Sequence, residues 1–331
     1  MSAQLRLLLP HTVALLTSRV QQGLPFVCTP LMEKILWSAL AVAQNLHPIK
    51  IIAFVIMGNH IHLIVLVDDP EVTESFMERF KCETAHAVNR LLGRRQVSVW
   101  CEGYDSPVIL TVDDLIEKIA YVYANPVRAH RSDSISTYQG VSSWDMFTSG
   151  RIRKEIKRIR RPFLQPLPKG RLSARQQEQL ATSVEKKSEE NLEFILTPDS
   201  WTVAFPEYMT VEKFNQKLKD RLQEIEAEMA TERQAKGIAL PSAVELATQS
   251  INITYLPKKF GRRMWCICRD VSLRTAFIKF IKSLRTKARQ VRLLWKSGHR
   301  SEPFPIGLFP PCQPVLANLL PAFIRRSVTF A

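Results

Sequence analysis

Apolar and polar positions fall into blocks that separate strands from helices. Residues 11–20 and 51–67 are almost continuous apolar runs, and they predict buried strands. Residues 31–44 carry helical spacing, and so do residues 73–92, where Phe76, Phe80, Ala87 and Leu91 share one face. Short strands are predicted at 97–100 and 108–110. A third helix is predicted over 113–124, stopped by Pro126 because the residue before a proline is pushed out of the helical region. Two strand–helix–strand units with few glycines predict an α+β fold in which helices pack on a largely antiparallel sheet. Further on, 173–195 and 211–235 read as strongly charged helices.

The second apolar run contains MGNHIHLIV, residues 57–65. Side chains of a strand alternate between its faces, so His60 and His62 point one way while Ile61, Leu63, Val65 and Val67 point the other. Neutral imidazole is a common metal ligand and a strand holds the two rings at fixed spacing, so the pair is a candidate metal site. Hydrogen-bonded core histidines would give the same pattern.

The third helix reads DDLIEKIAYVYANPVR. At about 100° per residue, Leu115, Ile116, Ile119, Ala120, Val122 and Tyr123 fall within an apolar arc of about 160°. Tyr123 sits in that arc and is expected in the core. Tyr121 falls on the polar face with Asp114, Glu117, Lys118 and Asn125, where its hydroxyl can meet a substrate or solvent. Asn125 lies one turn on, where it can equally cap the helix ahead of Pro126.

Charge divides the chain unevenly. The formal net charge is +15, yet residues 1–150 carry 12 Lys and Arg against 14 Asp and Glu, leaving 34 against 17 for the rest. A basic half of this kind suits a polyanionic partner such as nucleic acid. RIRKEIKRIRR at 151–161, followed by the proline-rich PFLQPLPKG, reads as a basic linker or arm, with Arg151, Arg153 and Lys154 as candidate DNA contacts. Over 271–297, Phe277, Ile281, Leu284, Ala288, Val291 and Trp295 form one helical stripe. Lys282, Arg285, Arg289, Arg292 and Lys296 form another beside it and are the main candidate phosphate contacts. The six cysteines are scattered, which fits reduced thiols in the cytoplasm; Cys266 and Cys268 alone are a poor zinc signature. The apolar N-terminus is broken by Pro10 and His11 and the longest apolar run by Asn59, His60 and His62, so neither a signal peptide nor a membrane span is expected.

NHIHLIV on a strand, WCEGYDSPVIL downstream, then AYVYANPVRA and a closing SSWDMF resemble, in that order, the insertion-sequence-200-like single-tyrosine (HUH) transposases, and among them the REP-associated tyrosine transposases. The resemblance covers roughly residues 10–147, and Gly58 stands where that family usually has proline. FPIGLFPP at 304–311 is similar to the tail of longer members. The resemblance implies a ferredoxin-like antiparallel sheet with helices on one face. It implies a catalytic domain over 1–147, to which we add a linker over 148–172 and a mostly helical, basic DNA-binding region over 173–331. It also implies Tyr121 as nucleophile and a divalent ion, Mg²⁺ or Mn²⁺, on His60, His62 and Asn125. Two imidazoles suit manganese better than magnesium.

The activity so implied is cutting and rejoining of single-stranded DNA at hairpin-bearing ends through a 5′-phosphotyrosine. Phenol, with an ordinary pKa near ~10, needs electrostatic help to attack at neutral pH. Two other readings use the same residues. One is a domesticated DNA-binding protein that keeps the fold without turnover, and the other is a metal-dependent phosphoesterase, which leaves the basic half without a role. Single-stranded or hairpin DNA is the expected partner, with no membrane, and the sequence leaves monomer and homodimer open. Glu102 and Asp105 could approach the metal or simply close a turn.

Overall fold

The computed structural model describes residues 7–168, 170–206, 208–253, 255, 264–305, 307 and 308. The first units are β1 (Thr12–Arg19), α1 (Pro30–Leu46), β2 (Lys50–Met57), β3 (His60–Val67) and α2 (Pro70–Leu91). The single apolar run read at 51–67 is thus two strands, turned at Gly58 and Asn59. Then come β4 (Val108–Ile109), α3 (Val112–Tyr123), the one-turn α4 (Asn125–Arg128) and α5 (Trp144–Ser149). The remainder holds β5 (Arg153–Lys157), α6 (Ala174–Lys186), β6 (Asn191–Ile195), α7 (Val211–Lys236), α8 (Ala243–Ala247), β7 (Cys266–Ile267) and α9 (Val271–Lys296).

The fold is α+β around a five-stranded sheet of order β2-β3-β1-β4-β7. All its pairs are antiparallel except β4 with β7. Caps explain where the helices begin: Thr29, Asp69, Thr111 and Asp270 each accept backbone N–H bonds from the first turn of the helix that follows.

The expectation of helices on one face is corrected, because both faces of the sheet are covered. Leu63, Val65 and Val67 of β3 pack with Ala14 and Leu16 of β1 against α1 and α2. Ile64 and Leu66 pack with Val13 and Leu15 against α3 and α7. The physical reason lies in β2 and β3, which are apolar at nearly every position and therefore need cover on both sides.

Residues expected to be linker also take part in the structure. β5 pairs antiparallel with β6, and Ile156 and Phe194 are buried beneath α1. Charge at the outward positions of RKEIK hides this strand in the sequence. The strand expected at 97–100 reduces to a single bridge between Val20 and Trp100, with the Trp100 ring packed on Phe26 at 4.9 Å.

The C-terminal half closes over α3. Phe214, Leu218, Leu222 and Ile225 form the buried stripe of α7 and lie against α3. β7 adds a strand beside β4, and α9 buries Ile281, Ala288 and Val291 with Leu7, Val108 and Leu308. No described helix is long and apolar enough to cross a membrane.

Candidate active site

β3 is the central strand of its triplet, with β2 on one side and β1 on the other. Register sets His62 opposite Thr17 and Val55, and His60 opposite Arg19 and Met57. Both imidazoles lie on the α3 face of the sheet. His62 is 7% exposed, and its ring lies 4.8 Å from that of His60, nearly perpendicular to it.

Each ring is oriented through Nδ1. His62 Nδ1 bonds Thr17 Oγ1 at 3.0 Å, and His60 Nδ1 bonds Asn59 Oδ1 at 2.7 Å. Nε2 of each ring has no hydrogen-bond partner among the described residues. Burial lowers the pKa of His60 to about 4, with Arg19 adding to the effect. Burial, then His60, Arg19 and Lys118, hold His62 well below the ordinary imidazole range. Both rings are therefore neutral at physiological pH, which is the ligating form, and each is tethered through Nδ1, leaving Nε2 to ligate, as in ligating histidines generally. The donor set fits a divalent ion.

α3 delivers the tyrosine to the same face. The Tyr121 ring lies 6.4 Å from that of His62. Tyr123 is fully buried between Trp144 and Phe147, and its hydroxyl shares a 2.9 Å hydrogen bond with Ser143 Oγ. Burial, partly offset by that bond, raises its pKa well above the phenol range. Tyr121 and His62 line one cleft of about 590 Å³ with Thr17, Arg19, Lys118 and the loop 101–105. Glu102 and Asp105 belong to that loop, and Lys81 Nζ fastens it by donating to the carbonyls of Cys101 and Gly103.

Asn125 has a structural task. Pro126 cannot donate to the carbonyl of Val122, and the Asn125 amide nitrogen bonds that carbonyl at 3.3 Å and the Tyr121 carbonyl at 2.9 Å. Its amide oxygen accepts no hydrogen bond among the described residues. Asn125 and His60 are not part of the cleft lining. Among the described residues no group of three His, Cys, Asp or Glu could hold a metal ion, so an ion on the histidine pair would need an amide, water or phosphate oxygen to complete its shell.

Several residues of this site carried no assignment in the sequence. Two cations flank the Tyr121 ring, with Lys118 Nζ 4.5 Å and Arg128 Cζ 5.2 Å from its centroid. Burial lowers the Lys118 pKa and Arg128 adds to this, against the opposite pull of Asp114 and Glu117. Lys118 was legible only as a neighbour of Tyr121 on the polar face. Thr17 gave no signal, and neither did Met264, which reaches the cleft from the other half of the chain.

The candidate DNA contacts lie away from the cleft lining and differ among themselves. Arg151 is exposed, Arg153 pairs with Glu193, and Lys154 is half-buried with Nζ 3.8 Å from the centre of the Trp37 ring. On α9, Lys282, Arg289 and Lys296 are exposed, whereas Arg285 and Arg292 are half-buried and Arg285 lies over the Trp265 ring. Residues 306 and 309–311 of the FPIGLFPP stretch, and Cys312, lie outside the described residues.

Residues 11–124 match the family model for IS200-like transposases. The matched segment runs from the start of β1 to the end of α3 and contains both histidines and Tyr121. Among solved structures, one described as "REP associates tyrosine transposase bound to a REP hairpin" is similar over 45% of this chain and 86% of that one. Its identity is 20% and its TM-score 0.38, a likeness too slight to assign residues. No curated protein matches.

Proposed function

We propose that the protein is a transposase-type DNA strand transferase that cuts and rejoins single-stranded DNA at hairpin-bearing ends, with Tyr121 as nucleophile. The observation that carries this reading is the convergence of His62 and Tyr121, rings 6.4 Å apart, in one cleft of the IS200-like region.

The residues divide the work. The Tyr121 hydroxyl gives up its proton to solvent and its oxygen attacks the phosphorus of the scissile bond. The new bond joins tyrosine to the 5′ phosphate, and the bond to the 3′ oxygen breaks, that oxygen leaving as a hydroxyl once protonated. The phosphodiester energy is kept in the tyrosyl ester, so a second 3′ hydroxyl can reverse the step without ATP. Neutral His60 and His62, with Asn125, would hold a divalent ion, Mg²⁺ or Mn²⁺, which polarises a phosphate oxygen and so favours in-line attack. Thr17 and Asn59 keep the two imidazoles oriented. The cations of α9 and the segment 151–154 supply attraction for the phosphate backbone, which the near-neutral first half lacks. We place this activity in the cytoplasm, where such DNA is met.

The test is a labelled DNA hairpin with a single-stranded flank, incubated with Mn²⁺ and an unlabelled acceptor strand. Cleavage in the flank that leaves a free 3′ hydroxyl, followed by transfer to the acceptor without ATP, is expected. A gel shift with no cleavage would indicate a DNA-binding protein without turnover. Hydrolysis of small phosphoesters with no strand transfer would indicate a phosphoesterase.

A further inference from the structure

Lys118 occupies an unusual electrostatic position. It is half-buried in the cleft, one turn before Tyr121, with its ammonium over the tyrosine ring. Two carboxylates stand near it on the same helix, and both are engaged elsewhere. Asp114 accepts the hydroxyl of Thr111 at 2.6 Å and the backbone N–H of Arg269 at 3.1 Å. Glu117 is held by Arg221 at 3.0 Å and Arg269 at 2.8 Å. Among the described residues Lys118 forms no ion pair. Arg128, on the same tyrosine ring, forms none either. A partly desolvated cation with no carboxylate in ion-pair contact among the described residues, beside a nucleophile and the His62 imidazole, is a site prepared for an anion.

We propose that Lys118 is a catalytic residue that donates to a non-bridging oxygen of the phosphate attacked by Tyr121. Arg128 is the second positive charge that keeps this region attractive to the phosphate after the tyrosyl ester has formed. The C-terminal half has a part in this, since Arg221 and Arg269 hold Glu117 in ion pairs of their own. The assignment rests on the reading of Tyr121 as nucleophile.

The experiment compares the parent chain, Lys118→Gln and Lys118→Arg on a labelled hairpin with a single-stranded flank, in Mn²⁺. Covalent protein–DNA adduct is followed in time, first with the natural phosphodiester and then with a methylphosphonate, which lacks the non-bridging charge, at the cleaved position. For Lys118→Gln the adduct rate at saturating DNA should fall about 10²-fold on the natural strand, the loss typical of removing one oxyanion donor. The same substitution should cost little on the methylphosphonate, hairpin affinity should be unchanged, and Lys118→Arg should recover part of the rate. An equal loss on both strands would mean that Lys118 merely props the tyrosine, and no loss on either would mean that it has no role; each result overturns the assignment and leaves Tyr121 chemistry standing. Absence of adduct from the parent chain overturns the reading of Tyr121 and this assignment with it.

Discussion

Replacing each tyrosine of α3 by phenylalanine should separate stability from chemistry in opposite directions. The Tyr123 hydroxyl is buried and shares one hydrogen bond with Ser143 Oγ. Removing it leaves Ser143 satisfied, since that oxygen still accepts from the backbone N–H of Phe54 at 2.8 Å. The cost of Tyr123→Phe is therefore that of one ordinary buried hydrogen bond, about 1 kcal/mol, with no orphaned partner added. In a chain of this size that lowers Tm by about 2 °C. Tyr121 is half-buried in the cleft, and its hydroxyl has no hydrogen-bond partner among the described residues, so Tyr121→Phe should change stability by less than about 0.5 kcal/mol. Thermal melts followed by circular dichroism, run beside a denaturing gel for covalent protein–DNA adduct, read both quantities. The expected pattern is a small loss of Tm with adduct retained for Tyr123→Phe, and unchanged Tm with adduct abolished for Tyr121→Phe. Adduct formation by Tyr121→Phe, or a larger loss of Tm there than in Tyr123→Phe, would refute the division of the helix into a core face and a chemical face.

Three further outcomes are expected. His60→Ala and His62→Ala should lose metal-dependent cleavage, and Asn125→Ala should raise the metal concentration required; cleavage at the parent rate in EDTA would dismiss the metal. Because burial holds the folded His60 pKa at about 4, below its unfolded value, the stability this residue contributes in metal-free protein is fully present above about pH 6.5 and is lost as pH falls toward 4. Urea titrations across that window should show a steeper loss for the parent than for His60→Ala, and parallel curves would contradict the shift. Reversal of Arg285, Arg289 and Arg292 to Glu should weaken binding to every DNA sequence and flatten its salt dependence, as read by fluorescence anisotropy; an unchanged salt slope would remove α9 as the DNA-holding surface.

Much of the site was legible because strand and helix periods are local. Alternation along β3 put both histidines on one face, and the wheel of α3 separated Tyr121 from Tyr123; the burial of Tyr123 and the place of Tyr121 in the cleft agree with that division. What was illegible depends on contacts distant in sequence. Asp114 reads as a solvent-facing residue yet is 4% exposed, and its carboxylate accepts the backbone N–H of Arg269, 155 residues further on. β7 has only two residues, too few to show a period, so its addition to the sheet beside β4 had no signature. The charges of β5 match those of a linker, and only pairing with β6 distinguishes the two. Lys118 could be placed beside Tyr121, but that Arg221 and Arg269 hold Glu117 in ion pairs depends on residues distant in sequence.

The central claim is that Tyr121 becomes joined to DNA. Parent protein is incubated with the flanked hairpin and Mn²⁺, digested with nuclease and trypsin, and the nucleotide-bearing peptide is sequenced by mass spectrometry. The account predicts a 5′-phosphoryl nucleotide on the peptide containing Tyr121, localised to that residue. Cleaved DNA with no modified peptide, or with the modification on Tyr104, Tyr123 or Tyr138, would contradict it.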